Sequence, residues 1–250
     1  MHQRGQASVE WIALLYVVVS ALVVVGVTAA HVLPLGLGNA AHRRTTRPDS
    51  VTEAYGGDTA TLVRRSAPGL VYESGLLDAP VDPRACRVVA CAQNAKPVLF
   101  THVIHRGPVT YVQYWEYYPD SAWHGIAGKH ADDWESVQIR VNADGTTDAR
   151  ASAHHGYTGE RIGPDLNLNQ VNSNWVPERW RWGWTRWTGW LRVARHSHAG
   201  FVTAASGDGR FNPAGEVELI PLETTRLPQA YAITPPWRKA VYTDPESPAT

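Results

Sequence analysis

The stretch "HADDWESVQIRV", residues 130–141, decides the fold because its apolar and polar residues alternate as in a β-strand. Alternate residues of a strand lie on the same face of a sheet, so Val137 and Ile139 share an apolar face. Asp133 and Glu135 begin the same row. Carboxylates without partners are strongly disfavoured in a core. These two are therefore expected to be exposed at the strand's end, paired with cations or bound to a metal ion.

A turn sequence, "NADG" (142–145), follows this strand directly and predicts a β-hairpin. A three-residue loop that closes on Gly145 in the left-handed conformation places His155 opposite Asp133. A loop of two or four residues places His154 there instead. In either register, a histidine of the returning strand faces the acidic residues.

An aromatic strand upstream, "YVQYWEYYPDS" (111–121), ends in a proline that delivers an aspartate to the same end of the sheet. A histidine three residues before Asp133 can turn toward this point. A divalent-metal site is thus one prediction, and an acidic surface rim paired with arginines is the alternative. Oxygen ligands with one imidazole suit Ca²⁺ or Mg²⁺, with Mn²⁺ as a further candidate. The predicted ligands are Asp120, His130, Asp133 and Glu135.

Beyond Pro97, short β-like runs separated by turn residues predict an all-β domain, an antiparallel β-sandwich. A tryptophan-rich segment, residues 175–192, interrupts this pattern with six tryptophans and several arginines. Trp180, Trp184 and Trp187 would share one face of a helix there. The segment either folds its indoles over the sandwich, which we favour, or forms a lid or interfacial surface.

The amino terminus predicts a membrane segment, because residues 11–30 are twenty residues without a charge. A secretory signal cleaved near Ala30 is the alternative. The predicted organisation is a leader at 1–5, a transmembrane α-helix at 6–33, a linker or stalk at 34–70 with some helix around 50–65, and an extracytoplasmic β-sandwich domain at 71–250.

Charge and cysteine content narrow the class of protein. The 23 basic and 23 acidic side chains give a net charge of zero, so no basic field attracts nucleic acid. Nucleic acid is therefore not an expected partner. Cys86 and Cys91 are the only cysteines. Their short spacing predicts a disulfide outside the cytoplasm, with two reduced thiols as the alternative.

The leader "RGQASVE" (4–10) resembles that of type IV pilins, especially the Tad-type pilins and pseudopilins of bacteria. The resemblance rests on Gly5 and on Glu10 at the fifth position after it, just before the apolar helix. It implies cleavage between Gly5 and Gln6 by a prepilin peptidase, and pairing of Glu10 with a neighbouring pilin-like subunit. It also implies a single pass through the bacterial cell membrane, with the bulk of the chain outside.

"YWEYYPD", "HADDWESVQIRV" and "SAHHGY" resemble motifs of the necrosis- and ethylene-inducing peptide-like proteins. Together with "VARHSHAGF" (193–201), they are also similar to the vacuolar-protein-sorting sixty-two family, over roughly residues 95–245. Lys129 and Asp132 depart from the first family's Gly-His-Arg-His-Asp-Trp-Glu heptad, which puts its plant-lytic activity in question. The resemblance implies the same four metal ligands and a cavity at His154, His155, Ser197 and His198.

These features predict a membrane-anchored, pilin-like protein that displays a metal-binding β-sandwich outside the cytoplasm. The sandwich would recognise a polar ligand, either a lipid headgroup or a glycan. One alternative is a metal-dependent hydrolase or lytic effector, with His154 or His198 as the acid–base candidate. The other is a structural minor pilin, in which the acidic cluster serves stability alone.

Overall fold

The computed structural model describes residues 49–121, 129–153, 156–162, 179–203 and 209–248. The predicted leader and membrane helix lie outside these ranges, and so do Gly5, Gln6 and Glu10. None of the helices within the ranges is long and apolar enough to span a bilayer. This part of the chain is mainly β-sheet, as the runs beyond Pro97 predict.

The fold consists mainly of strands, because the longest helix among the described residues has only 10 residues. The strands are β1 (Gly69–Tyr72), β2 (Val98–Arg106), β3 (Val109–Ser121), β4 (His130–Val141), β5 (Thr147–Ala153), β6 (Gly156–Ile162), β7 (Arg179–Trp182), β8 (Thr185–Arg186), β9 (Trp190–Val193), β10 (Gly200–Thr203), β11 (Phe211–Asn212) and β12 (Glu218–Pro221). The helices are α1 (Ser50–Tyr55), α2 (Gly57–Ser66), α3 (Val89–Ala92) and α4 (Ala240–Thr243), with 3-10 turns at Ala214–Glu216 and Pro236–Arg238.

Helices α1 and α2 lie in the range 34–70, which the sequence assigns to a linker with some helix. Val51 of α1 and Val63 of α2 are 4% and 0% exposed. Both belong to the same buried cluster as Leu70 of β1. The packed domain therefore takes in residues before the predicted boundary at 71. The sequence of α2 shows only a weak helical periodicity of apolar residues, because this helix buries only three small side chains.

The strands form one continuous sheet in the order β11-β1-β9-β10-β6-β5-β4-β3-β2-β12, with β7 beside β6 and β8 beside β5. Leu70 of β1 and Leu191 of β9 share a buried cluster with Val112 of β3 and Val137 of β4. The two halves of the sheet thus enclose a core, and the predicted all-β sandwich is confirmed.

The sandwich is mixed, which corrects the prediction of a purely antiparallel one. The pairings β1–β9, β2–β12 and β6–β10 are parallel. Parallel neighbours need long connections, whereas antiparallel neighbours can be joined by hairpins. Turn sequences predict hairpins between neighbouring strands only, so parallel pairings between strands that are distant in the chain could not be predicted from them.

The β4–β5 hairpin has the predicted register. Val137 pairs with Ala151, and the amide N of Asn142 donates to the carbonyl O of Thr146 at 2.9 Å. Gly145 has a φ of 81°, the left-handed value that the three-residue loop requires. The turn prediction from "NADG" is therefore confirmed.

Strand β4 is buried on both faces. Val137 and Ile139 are 0% exposed and lie in the sandwich core. Trp134, on the opposite face, is 1% exposed and packs in a second cluster. Residues 222–248, here called the C-terminal strap, cover this second face, and the ring of Trp237 lies 6.4 Å from that of Trp134.

The described part of the tryptophan-rich segment, residues 179–192, forms short strands, although the tryptophan spacing would also fit one face of a helix. Gly183 and Gly189 have φ values of 96° and 88°, which a helix does not allow. The indole of Trp184 lies 4.7 Å from the guanidinium carbon of Arg150. This contact agrees with the favoured alternative, in which the indoles fold onto the sandwich with arginines stacked on them.

Candidate functional site

Three carboxyl groups, here called the acidic ladder (Glu116, Asp133 and Glu135), share one face of β3 and β4. Glu116 and Glu135 are direct cross-strand partners, and Asp133 pairs with Tyr118. Glu116 and Asp133 are 1% and 4% exposed, and Glu135 is half-buried. Like charges on cross-strand partners repel, so the ladder is unfavourable when fully ionised.

Neutral hydroxyl groups contact two members of the ladder. The hydroxyl of Tyr118 donates to Oε2 of Glu116 at 2.7 Å, and the hydroxyl of Ser152 donates to Oε2 of Glu135. Within the described residues, no arginine or lysine forms an ion pair with the ladder, and its one recorded ion-pair contact is to a histidine. The negative charge of the ladder is therefore not balanced by these neighbours.

Burial raises the pKa of every carboxyl group in the ladder. For Glu116, burial raises the pKa to about 8, the hydrogen bond from Tyr118 opposes this shift, and the charges of Glu135 and Asp133 add to it. Burial also raises the pKa values of Glu135 and Asp133. The charge of Lys239 opposes the shifts of Glu135 and Asp133, so near neutral pH the ladder is partly protonated, partly balanced by this ammonium or neutralised by a bound cation.

His198 reaches the ladder from the loop between β9 and β10. Its Nδ1 lies 3.0 Å from Oδ2 of Asp133, and its ring stacks on Tyr118 with centroids 3.9 Å apart. Its φ of 53° is rare for a residue other than glycine and costs on the order of 1 kcal/mol. Burial lowers the pKa of His198 to about 4, so its ring is neutral near pH 7. The structure thus brings a predicted cavity residue against a predicted metal ligand.

Asp120 and His130 lie where the ladder ends. Asp120 is the cross-strand partner of Ala131, and Nδ1 of His130 lies 3.1 Å from the carbonyl O of Ala131. No three His, Cys, Asp or Glu side chains gather around one point in the part of the chain that the structure describes. The carboxylate oxygens do suit a hard divalent cation. The four-ligand set, with Asp133 and Glu135, stays a prediction.

The other three predicted cavity residues are His154, His155 and Ser197. His154 and His155 lie outside the described residues. Ser197 lies in the same loop as His198, and its amide N donates to the carbonyl O of Arg195 at 2.9 Å. Of the cavity set, only His198 is in hydrogen-bond contact with the ladder among the residues described.

Sequence reasoning missed two charged residues close to this face, Glu116 and Lys239. The Nζ of Lys239, in the strap, donates to the carbonyl O of Trp134 at 3.0 Å and lies 5.7 Å from the ring of Trp115. Burial lowers the pKa of Lys239, and the charges of the ladder oppose that shift. Glu116 could have been predicted from the alternation along β3, because it lies on the same face of the strand as the predicted ligand Asp120. The strap has no periodic pattern, so no signal pointed to Lys239.

Asp132 faces away from the ladder. Its carboxylate accepts hydrogen bonds from Nη2 of Arg87 at 2.7 Å, the hydroxyl of Tyr117 at 2.7 Å and the amide N of Ala232 at 2.8 Å. Burial opposes its ionisation, but the bonds from Tyr117 and Arg87 lower its pKa overall. Asp132 stands where the heptad has its second histidine, and through the amide of Ala232 it links the strap to β4.

A cleft of about 190 Å³ opens beside the end of the ladder. One wall is the loop closed by the disulfide between Cys86 and Cys91, with an S–S distance of 2.06 Å, which confirms the predicted bridge. The cleft is smaller than the roughly 300 to 1,000 Å³ of pockets for drug-sized ligands, so it suits a small polar group. Its lining residues are Gly75, Leu76, Leu77, Asp78, Val89, Gln93, Asp120, Arg195, His196 and His198.

Comparison with known proteins gives similarities of fold only. No protein-family model and no curated protein matches the chain. Among solved structures, it is similar to NLPPya in complex with glucosamine, with 21% identity, 68% of this chain and 75% of that chain covered, and a TM-score of 0.40.

Two further solved structures are similar to the chain. One, described as a toxin fold as basis for microbial attack and plant defense, has 20% identity, covers 66% of this chain and 74% of that one, and has a TM-score of 0.41. The other is necrosis and ethylene inducing protein 2 from the causal agent of cocoa's witches' broom disease, with 19% identity, 65% and 73% coverage and a TM-score of 0.40. None of these similarities establishes an activity for this chain.

Proposed function

We propose that this chain is an extracytoplasmic recognition protein. Its β-sandwich binds a divalent cation at the acidic ladder and a small polar ligand, a lipid headgroup or a glycan, in the adjoining cleft. The observation that carries the proposal is the pairing of buried Glu116 with half-buried Glu135, for which the described residues offer no direct ion pair and only the more distant charge of Lys239. A buried cluster of this kind is costly unless protons or a cation neutralise it.

The donor chemistry supports a hard cation. Asp133 and Glu135 would hold the ion from the ladder, and Asp120 and His130 would approach it from the ladder's end. Carboxylate oxygens favour Ca²⁺ or Mg²⁺, and Mn²⁺ also accepts this ligand set. When bound, the ion would neutralise the ladder and offer a contact for an oxygen atom of the ligand. The neutral ring of His198 holds Asp133 in place through its Nδ1.

The proposal includes a membrane anchor. The charge-free residues 11–30 would hold the domain at the outer face of a bacterial membrane, after cleavage between Gly5 and Gln6. Mass analysis of the mature chain tests this arrangement. A start at Gln6 supports it, and a start near His31 would mean that the apolar segment is removed as a secretory signal.

Calorimetric titration with Ca²⁺, Mg²⁺ and Mn²⁺ tests the cation site directly, with the full chain kept in detergent micelles. We expect Asp133→Asn to weaken cation binding by about tenfold or more, since it removes a charged oxygen donor. The matched control is Asp58→Asn, which changes an exposed acid in the first turn of α2. Equal cation affinity in wild type and Asp133→Asn would rule out the ladder as the site.

A further inference from the structure

Two carboxylates border the cleft, and neither forms a direct ion pair among the described residues; the nearest cation to Asp78, Arg210, donates to its main-chain carbonyl O at 3.3 Å. Oδ1 of Asp78 is buried and has no hydrogen-bond partner. Asp120 also lines the cleft, and no ion pair is recorded for it within the described chain. Burial raises the pKa of Asp78, the charge of Asp120 adds to this effect, and the charges of His198 and Arg210 oppose it. The acidic side of the cleft therefore has unused capacity to accept hydrogen bonds from a cation.

A guanidinium group lines the same cleft. Arg195 is fixed through its backbone, because its amide N donates to Oε2 of Glu73 at 2.9 Å. Its guanidinium lies close to Gly75, where an added Cβ would be 3.2 Å from Nη1. No carboxylate of the described residues forms an ion pair with this group. Arg195 can therefore receive an anion, and guanidinium groups bind phosphate oxygens in a fork geometry.

We propose that the cleft binds a ligand that carries a primary ammonium group and a phosphate on a short linker, as phosphoethanolamine does. The ammonium donates an N–H to Asp78, with Asp120 nearby, and the phosphate accepts hydrogen bonds from Arg195. A quaternary ammonium has no N–H and leaves Oδ1 of Asp78 without a partner. This inference rests on the proposed function, since it names the chemistry of the polar ligand in that cleft.

The rim of the cleft indicates that a bilayer presents this ligand. Leu77 and Val88 are 50% and 62% exposed, and they belong to the few large apolar side chains exposed in the described residues. Leu77 lines the cleft, and Val88 lies within the disulfide loop beside the cleft residue Val89. Exposed aliphatic side chains beside a headgroup cleft gain contact with the acyl boundary when the cleft engages a lipid.

Titration of the full chain in detergent micelles with glycerophosphoethanolamine tests the ligand chemistry. We expect it to bind about tenfold more tightly than glycerol phosphate, glycerophosphocholine, ethanolamine or glucosamine, each of which lacks a required group. Asp78→Asn and Arg195→Gln should each weaken it by a similar factor. Asp58→Asn and Arg238→Gln, at exposed positions, are the matched controls. Equal binding of glycerol phosphate, or unchanged binding in Asp78→Asn, would overturn the proposal.

Cation titrations on the same variants separate this inference from the proposed function. Asp78→Asn should keep the cation affinity of wild type, while Asp133→Asn should lose it. If wild type binds the cation but shows no preference for the ammonium phosphate, the ligand chemistry is wrong and the cation site stands. If the ammonium phosphate binds and no cation does, the cation site is wrong and the ligand chemistry stands.

A vesicle experiment distinguishes the two sources of the ligand. The full chain is held in phosphatidylglycerol nanodiscs, and vesicles with and without phosphatidylethanolamine flow over it. We expect capture of the vesicles that contain phosphatidylethanolamine, and Val88→Ser, an exposed position outside the cleft lining, should weaken this capture while still binding glycerophosphoethanolamine. Capture that does not depend on phosphatidylethanolamine would overturn the bilayer as the source.

Discussion

Glu116 of β3 and Glu135 of β4 are cross-strand partners in the interior of the sandwich, although each carries an ionisable carboxyl group. Sheets rarely place two acids directly opposite each other, because the charges repel at short distance. Their neighbours Tyr118 and Ser152 supply hydroxyl groups and no positive charge. The stability of the domain should therefore respond strongly to whatever neutralises this pair.

The first prediction concerns the variant Glu116→Gln. Without divalent cations at pH above 8, we expect the free energy of unfolding to rise by about 2 kcal/mol, because the amide removes a buried charge and still accepts the bond from Tyr118. Chemical denaturation in chelator measures the change. The control is Glu218→Gln, which removes an exposed acid near Lys96 and should change stability by about 0.5 kcal/mol at most. A loss of stability in Glu116→Gln under these conditions would contradict the prediction.

The second prediction is a pH dependence with a defined sign. The pKa of Glu116 rises to about 8 in the folded chain, and those of Asp133 and Glu135 also rise. The folded state then holds more protons than the unfolded state, so stability falls as pH rises from about 5 to about 8. Two groups contribute in the opposite direction: Asp132, whose pKa is lowered, only in acid, and His198, whose pKa falls to about 4, up to about pH 6.5, so the fall in stability is steepest between about 6.5 and 8.

Denaturation midpoints across this pH range, in chelator and then with Ca²⁺, check this prediction. Added cation should reduce the loss of stability toward high pH, since it replaces protons on the ladder. A midpoint that rises with pH in chelator would show that the ladder is not the dominant titrating group.

The third prediction concerns coupling between His198 and Asp133. His198→Phe keeps an aromatic ring against Tyr118 but leaves Oδ2 of Asp133 without its partner. We expect it to cost about 1 to 3 kcal/mol in wild type and less in an Asp133→Ala background. A double-mutant cycle measured by denaturation gives the coupling energy. A coupling energy of zero would mean that the ring acts through packing alone.

The fourth prediction concerns Arg150, which fixes the C-terminal strap. Its Nη2 donates to the carbonyl O of Pro245 and, at 2.8 Å, to that of Ser247. Its guanidinium carbon lies 4.4 Å from the ring centre of Tyr157. Arg150→Lys cannot reproduce both bonds and the stacking, so we expect a loss of about 2 kcal/mol.

Hydrogen exchange should show that residues 240–248 lose protection in Arg150→Lys before the sheet does. Arg238→Lys, at an exposed position in the strap, is the control and should leave protection unchanged. Uniform loss of protection across the domain would show that Arg150 supports the whole core and not the strap in particular.

The fifth prediction concerns the disulfide beside the cleft. Closing so short a loop stabilises the folded chain by about 2 kcal/mol in the chain-entropy estimate. We expect the double variant Cys86→Ser and Cys91→Ser to lose about that much, and to widen the cleft because Val89 and Gln93 lie in or beside the loop. Thermal melting and exchange at Gln93 measure the two effects. Unchanged exchange at Gln93 would mean that the bridge does not shape the cleft.

The sequence predicts local features of the fold well, since they depend on neighbouring residues. The period of two in β4 and the turn at Gly145 predicted the hairpin and left a few loop lengths open, of which the structure has the three-residue loop. The pairing of Glu116 with Glu135 could not be set in this way, because it depends on the length of the connection between β3 and β4. The tryptophan spacing within 175–192 fits one face of a helix, but Gly183 and Gly189 weaken a continuous helix there, and in the structure both adopt left-handed conformations.

Residues brought from far away in the chain were beyond prediction. Lys239 and the rest of the strap follow no period of two or 3.6, and their contacts with β4 cross about a hundred positions of sequence. Asp78 was likewise missed, since it follows a short strand whose partner is the distant β9. His198 was found through a resemblance, and no spacing rule connects it with Asp133.

Several side chains of the sheet donate hydrogen bonds to main-chain carbonyl oxygens of the strap. Gln113 donates to the carbonyl O of Val241, and Arg150 donates to the carbonyl O atoms of Pro245 and Ser247. A main-chain oxygen is the same whatever side chain follows it. The strap positions whose side chains face away from the sheet can therefore change without loss of these bonds, whereas the inward donors and the packed side chains of Trp237 and Val241 are constrained.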